Sequence, residues 1–540
     1  MSLWILLFHL LWFLPGNAAQ QHSNGTIKVR GDVIVATTND NYICATLDWW
    51  PAQKCNYNQC PWGDSSVLNL EINHPFLASA IKAFSPLRIR IGGSLQDRVV
   101  YGMPNIDYPC LPFVKMADGL FGFSKGCLSL KRWDELNTLF QKTGAVVTFG
   151  LNALRGRHSI RRGVWGGAWN LSNARDFIAY TISKAYPVDS WEFGNELSGH
   201  GIGARVDAEV YGKDLIGLKA VLDELYKNST TKPLPLLLAP GGFFDRQWYI
   251  QLLKTSGSGV VDGITHHIYN LGRGDDPHLP NKILDPEYLS QVSDTYRDVQ
   301  QVLQKHGPWA SAWVGEAGGA YNSGAHLVSN TFLNSFWYLD QLGMASKFNT
   351  KTYCRQSLIG GNYGLLDTET YIPNPDYYSA LLWHRLMGKR VLYVNNNGSS
   401  FLRVYAHCTK KTAGVSLVLI NLLNSEFRIN VEKETNRKIS VDYERKNNCS
   451  FSDRLEKMVY LNGMKERHSS IKRKEYHLTA KDGNHRSRIM LLNGRTLQLS
   501  EDGKIPDLVP SYIYSNSPII VAPLSIVFVV MPNFDAEACS

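Results

Sequence analysis

Residues 191–201 read WEFGNELSGHG. Trp191, Glu192 and Phe193 have the look of a strand end, and Gly194, Asn195 and Glu196 lead from it into a glycine-rich loop. Packing requires neither the amide nor the carboxylate at that point. Taken alone the stretch fits a solvated loop, since Asn, Glu, Ser and Gly commonly follow strands. Whether it is more than that depends on what surrounds it in the chain.

Short apolar strands like this one recur. They are ICATLD (43–48), LRIRIG (87–92), AVVTFGL (145–151), WEFGN (191–195), PLLLA (235–239), GITHHI (263–268), SAWVG (311–315) and TYCRQS (352–357). Between them lie stretches with apolar residues at helical spacing, such as 173–186, 207–227 and 285–307. In the second, Asp207 is placed to cap the helix, and Tyr211, Leu215, Leu218, Leu222 and Leu225 form its apolar face. Eight alternating units over residues 42–388 predict an α/β fold, a (β/α)8 TIM barrel. A doubly wound open sheet is the rival, but no glycine-rich phosphate fingerprint follows the first strand.

Past Gly388 the helical spacing stops. RVLYVN (390–395), LRVYAHC (402–408), VSLVLINLL (415–423), RIMLLNG (488–494) and the run 518–532 alternate with polar turns. Residues 389–540 therefore read as a smaller all-β sandwich domain. The segment 20–41 contains TIKVRGDVIVAT (26–37), a strand expected to pair with that domain.

The chain has 540 residues, 44% of them hydrophobic and 19% charged, with a net charge of +9. That is an ordinary globular balance. A nucleic-acid binder would concentrate its basic residues in a stripe, whereas here only a loose basic stretch spans 464–487, read as a solvated loop or strand edge. Part of it, KERHSSIKRK (465–474), suggests peripheral attachment to an anionic membrane or wall surface.

Residues 1–19, an apolar run ending in Pro, Gly and small residues, read as a secretory signal peptide. Five glycosylation sequons agree with secretion, at Asn24, Asn170, Asn228, Asn397 and Asn448. The expected address is the secretory pathway: extracellular or cell wall, or lysosome or vacuole, including peripheral membrane association. Nine cysteines allow several disulfides in such a compartment and leave at least one thiol over. Their spacing does not resemble a zinc site. The run 518–532 is too short and too interrupted by Pro523 for a membrane span.

In a TIM barrel, chemistry sits at the C-terminal strand ends. Glu196 follows strand four, and WVGEAGGAYNSG (313–324) places Glu316 at the tip of strand seven. Two carboxyl groups facing each other across the mouth are the minimum kit for glycoside hydrolysis: one protonates the leaving oxygen, and the other attacks C1.

The NEL of strand four and the GEAGGAY of strand seven resemble the heparanase and β-glucuronidase family, glycoside hydrolase family 79. The likeness extends through LRIRIGGSLQD (87–97), TFGLNALRGR (148–157), PDYYSALLWHRLMG (375–388) and YHLTAKDG (476–483), and it is nearest the plant heparanase-like branch. The resemblance implies a barrel plus β-sandwich, no cofactor and no metal, and hydrolysis of β-linked glucuronic acid with retention. It makes Glu196 the acid/base, Glu316 the nucleophile and Asn195 a donor to the sugar 2-OH. Tyr321 and Tyr377 match positions that meet the glucuronate carboxylate, Asp48 and Ser94 line the pocket, and His266 and Arg273 lie near the leaving group. Cys408 and Cys539 resemble a pair that staples the β-domain; Cys110 and Cys127 could bridge a short insertion.

Two departures bear on substrate. Asn322 and Ser323 stand where the animal enzymes have paired glycines. The region Tyr101–Trp133 is short and only modestly basic, which argues against heparan sulfate and against cleavage into two chains. The expected substrates are therefore glucuronic acid ends on arabinogalactan-type glycans or small aromatic glucuronides. The alternatives are a heparanase-like endo-acting enzyme and a catalytically silent glycan-binding protein. Retention of Glu196, Asn195 and Glu316 weighs against the silent form.

Overall fold

The computed structural model describes residues 23–104, 106, 109–229, 233–434 and 471–540. The signal peptide reading, Asn448 and residues 464–470 of the basic stretch 464–487 lie outside them.

Eight parallel strands close into a barrel. In chain order they are Ile43–Leu47, Arg88–Ile91, Val146–Leu151, Ser190–Phe193, Leu236–Phe243, Gly263–Ile268, Ser311–Ala317 and Tyr353–Arg355. Each expected strand is present. Strand eight pairs with strand one to close the ring, with Cys354 directly opposite Cys44, and these two form a disulfide across the seam. The bridge joins residues 310 apart in sequence, so it staples the two ends of the barrel together.

The helices follow from local signals. Asp207 accepts from the backbone of Glu209 and Val210 and caps Ala208–Tyr226, whose apolar stripe includes Tyr211, Leu215 and Leu218. Leu130–Thr143 ends at Gly144, which takes the left-handed conformation at φ 69°. The stretch 285–307, expected as one helix, divides into Pro286–Ser290 and Val292–His306, each with its own start.

The β-domain is one continuous sheet of eleven strands. It folds over so that Val29, Leu417, Phe427, Val521 and Val529 share a second core, the two-layer packing of a sandwich. The N-terminal strand Ser23–Thr37 lies inside this sheet, antiparallel to Met387–Asn396 and parallel to Phe427–Lys433. The run 518–532 forms two strands, Ile519–Val521 and Ile526–Met531, either side of Pro523. Part of the basic stretch is the strand Lys472–Ala480, in which Arg473 is buried against Glu475. Among the described residues, no helix is long and apolar enough to cross a membrane.

The sheet also supports the barrel. Helix Phe332–Lys347, which follows strand seven, is buried all round because barrel and sheet cover opposite sides of it. Its Asp340 accepts from Arg403 at 2.7 Å and Tyr405 at 2.5 Å, both on the sheet. The backbone N–H groups of Phe332 and Leu333, unpaired within the helix, donate to Ser487 and His485 carbonyls of the β-domain. The helix behind Glu316 is thus fixed from two sides.

Candidate active site

A cavity of about 580 Å³ opens at the C-terminal mouth of the barrel, with Asp48, Ser94, Glu196, Tyr269, Glu316 and Tyr321 in its wall. Glu196 and Glu316 face each other across it. One carboxyl oxygen from each, together with a ring nitrogen of His267, lies within a set no wider than 4.8 Å.

The backbone that delivers these groups is built for close approach. Beyond strand four, Gly194 and Glu196 both adopt positive φ, at 69° and 55°. The Glu196 N–H donates to Gly241 O at 2.6 Å, which turns its side chain over the mouth. After strand two, a Cβ on Gly92 would fall 2.7 Å from the Arg90 guanidinium, and one on Gly93 would fall 2.4 Å from the Asp48 carboxylate. The GG of LRIRIGGS therefore makes room for charged side chains.

Arg90 is the hub. Its side chain is 1% exposed, and it donates to Glu192 at 2.6 Å, Glu316 at 3.0 Å and Asn195 at 2.9 Å. Three acceptors from strands four and seven are thus held by one planar guanidinium, a task that a point charge could not perform. The other Glu316 oxygen accepts from the Tyr269 hydroxyl at 2.5 Å. Glu316 is consequently fixed at both oxygens.

Glu196 has different company. Burial pushes its carboxyl up to about 7, against the opposing pull of Arg90. Its contact is His267 Nδ1 at 3.0 Å. Burial also holds that imidazole down to about 4, so the ring stays neutral at ordinary pH. Nδ1 can accept from protonated Glu196, or donate to the carboxylate when the ring proton sits there. One carboxyl is wired to a cation and the other to a neutral ring, the division that acid and nucleophile require.

The positions of the remaining expected residues vary. Asn195 is buried, fixed by Arg90 at Oδ1 and by Asp97, which accepts its backbone N–H at 2.8 Å. Its Nδ2 has no partner among the described residues, which leaves a donor for a ligand. Asp48 is held by Gln356 Nε2 at 2.7 Å and by the Trp49 N–H at 2.6 Å, and burial with Glu316 nearby raises its carboxyl. Ser94 and Tyr321 line the cavity. Arg273 lies on the exposed rim, paired with Asp275 at 2.8 Å and 5.6 Å from the ring of Tyr57.

Two expectations are corrected. Tyr377 is fully buried in helix Pro375–Leu386, donates to Ala80 O at 2.8 Å and meets Phe84 edge-on. It is a core residue; Tyr363 lines the cavity beside Tyr269 and Tyr321. His266 points out of the barrel toward Tyr296, and its neighbour His267 points in. Adjacent strand residues face opposite sides, so only one of the pair can reach the mouth. Arg90, Tyr269, His267 and Tyr363 are thus site residues that the sequence reading passed over. Arg90 had a signal: an arginine in an otherwise apolar buried strand needs an anionic partner.

Glu196, His267 and Glu316 could in principle hold a cation. Both Glu316 oxygens are already engaged, by Arg90 and Tyr269, and one Glu196 oxygen meets His267 Nδ1, while His267 Nε2 has no partner among the described residues.

Disulfides also join Cys55–Cys60, Cys110–Cys127 and Cys408–Cys539. The last ties strand Leu402–Thr409 to the chain end.

Comparison with known proteins agrees with this geometry. The profile of glycosyl hydrolase family 79, N-terminal domain, matches residues 24–343. Heparanase-like protein 1 of Arabidopsis thaliana is 59% identical over 523 residues, covering 97% of this chain and 96% of that protein. Baicalin-beta-D-glucuronidase of Scutellaria baicalensis is 42% identical over 92% of this chain and 90% of its own length. In three dimensions, a 4-O-alpha-L-rhamnosyl-beta-D-glucuronidase from Fusarium oxysporum superposes with a TM-score of 0.61 at 14% identity, over 94% of this chain and all of that one, which establishes a shared fold. With a barrel mouth that presents two differently wired glutamates and a profile match over more than half its length, the chain belongs to glycosyl hydrolase family 79 and is a glycosidase.

Proposed function

We propose that the protein is a retaining, exo-acting β-glucuronidase that removes β-linked glucuronic acid from arabinogalactan-type glycans or small aromatic glucuronides. The observation that carries this reading is the pair of carboxyl groups whose oxygens approach within 4.8 Å in unlike surroundings. Retaining glycosidases need carboxyls separated by about 5–5.5 Å, whereas inverting ones leave roughly 6.5–9.5 Å for a water.

In the first step Glu316, aimed by Arg90 and Tyr269, attacks C1 while Glu196 gives its proton to the departing oxygen. The glycosidic bond breaks and a glycosyl ester of Glu316 forms. In the second step Glu196, now ionised, takes a proton from water, which attacks C1 and releases Glu316. Asn195 Nδ2 supplies a donor for the sugar 2-OH. Tyr321 and Tyr363 supply hydroxyls for the C6 carboxylate, and burial keeps the Tyr363 phenol protonated. The 42% identical baicalin-beta-D-glucuronidase supports glucuronides as the substrate class.

Hydrolysis of an aryl β-glucuronide beside the matching β-glucoside tests the proposal in wild type, Glu196→Gln and Glu316→Gln. Selective turnover of the glucuronide, lost in both variants, is expected, with the first-formed sugar seen by NMR as the β anomer. An α anomer would overturn retention, and preference for the glucoside would overturn the substrate class.

The same reading places the protein in the secretory pathway. Four sequon asparagines, Asn24, Asn170, Asn228 and Asn397, are exposed, and four disulfides suit an oxidising compartment. A gel shift on enzymatic deglycosylation of the native protein tests it.

A further inference from the structure

The side chains around the catalytic cavity are unbalanced in charge. Asp48, Glu196 and Glu316 contribute carboxyl groups, while among the described residues Lys54 is the only lysine or arginine in the wall. A glucuronate would bring a further acidic group into a confined space already lined by three. Burying such a group is costly unless a cation meets it.

Lys54 is available for that. Its Nζ lies 4.1 Å from the ring centroid of Trp50, and it has no ion pair with a carboxylate among the described residues. Burial lowers its proton affinity, with Asp48 opposing, as expected for a cation drawn into a pocket without a close anion.

Its mount is rigid. Lys54 immediately precedes Cys55, which is bonded to Cys60. Inside that small ring, Asn56 and Gln59 exchange backbone hydrogen bonds of 2.8 and 2.9 Å. The ring is then clamped to the loop that follows the nucleophile strand. Ser323 Oγ donates to Asn56 Oδ1 at 2.9 Å, Asn322 Nδ2 donates to the Tyr57 hydroxyl at 3.0 Å, and Trp62 Nε1 donates to Ser323 Oγ at 2.9 Å. Asn322 and Ser323, the positions where the sequence departs from paired glycines, are the residues that hold the ring.

Direction follows from topology. Glu196, His200 and Ile202 enter the cavity from the strand-four side, and the acid/base marks where the leaving group sits. Lys54 and Tyr321 enter from the loops after strands one and seven, which flank strand eight on the other side of the mouth. We infer that Lys54, carried on the disulfide-closed loop, is a specificity residue that binds the C6 carboxylate of the glycone sugar. This inference rests on the glucuronidase reading. A neutral hydroxymethyl group gains no charge-assisted bond from the ammonium, so the residue discriminates between uronides and hexosides.

The test compares kcat/KM for an aryl β-glucuronide and the matching β-glucoside in wild type, Lys54→Met and Lys54→Arg. Lys54→Met is expected to lower the glucuronide value by about 10- to 100-fold, the loss typical of a charge-assisted contact, and to leave the glucoside value unchanged or higher. Lys54→Arg is expected to restore part of the glucuronide preference. Equal loss on both substrates, or no loss on the glucuronide, would overturn the assignment. Calorimetric binding of free D-glucuronate and D-glucose separates this from failure of the glucuronidase reading. If wild type turns over neither glycoside, that reading fails, yet glucuronate binding that Lys54→Met weakens at least about tenfold still supports Lys54. Absent or equal glucuronate binding in wild type and variant would overturn it.

Discussion

Substituting Glu196→Gln is expected to remove turnover and, above neutral pH, to make the protein more stable. Burial raises this carboxyl from its ordinary 4.5 to about 7. The folded state therefore holds the proton more tightly than the unfolded chain does. Stability from that proton is fully present below pH 4.5 and is lost as pH rises through about 7. A glutamine has no proton to lose. Each pH unit is worth about 1.4 kcal/mol, so above pH 7 the variant gains up to about 3 kcal/mol over wild type. For a cooperative unit the size of the barrel, that corresponds to a melting temperature higher by about 4 °C. The amide also keeps the His267 contact, because it can donate to Nδ1 as protonated Glu196 does. The measurement is thermal unfolding of both proteins at pH 4.5 and pH 8. A melting difference that appears only at pH 8 supports the argument. An equal difference at the two pH values would show that Glu196 does not hold its proton unusually tightly, and the assignment of the general acid would lose its physical basis.

The same group shapes catalysis: kcat/KM should fall about tenfold per pH unit above about 7, as Glu196 loses the proton it must donate, and a full pH profile checks this. Removing the hub with Arg90→Met leaves Glu192 and Glu316 without their shared cation; we expect a loss of about 3–5 kcal/mol in denaturant unfolding and near-complete loss of turnover. Arg90→Lys should recover stability better than activity, because an ammonium cannot hold Glu192, Glu316 and Asn195 in one plane. Tyr363→Phe should lower glucuronide kcat/KM by about tenfold, whereas Tyr377→Phe should leave it unchanged and cost about 1 kcal/mol of stability for the lost bond to Ala80.

Much of the architecture was legible because a barrel repeats one local pattern eight times, so an error in any one unit is corrected by its neighbours. All eight strands could be read this way, as could the pairing of the N-terminal strand with the C-terminal sheet. Contacts that depend on closure could not. Cys44 and Cys354 meet only because strands one and eight become neighbours when the ring closes. The division of 285–307 turns on Gln291, where the chain starts a second helix without a breaker residue to announce it.

The site was legible to the extent that its residues lie at or beyond strand ends, where glycines and a lone carboxylate interrupt an apolar pattern. Glu196 and Glu316 carry that signal; Arg90, His267 and Tyr363 do not. Barrel strands are buried on both faces, so apolar alternation does not say which residues point inward, and GITHHI offers two adjacent histidines with no means of choosing. The choice is made by the register of the closed ring, which turns Thr265 and His267 inward, with Thr265 accepting from the Gly241 N–H, and leaves His266 against Tyr296. The same constraint gives the two glutamates different chemistry. Arg90 is inward on strand two and reaches Glu192 and Glu316, which occupies both ends of its fork; Glu196, beyond the end of strand four, is left with a neutral imidazole. In the proposed mechanism, acid and nucleophile are thus told apart by which inward position around the ring carries a cation, a property of the assembled barrel and not of NEL or GEA read alone.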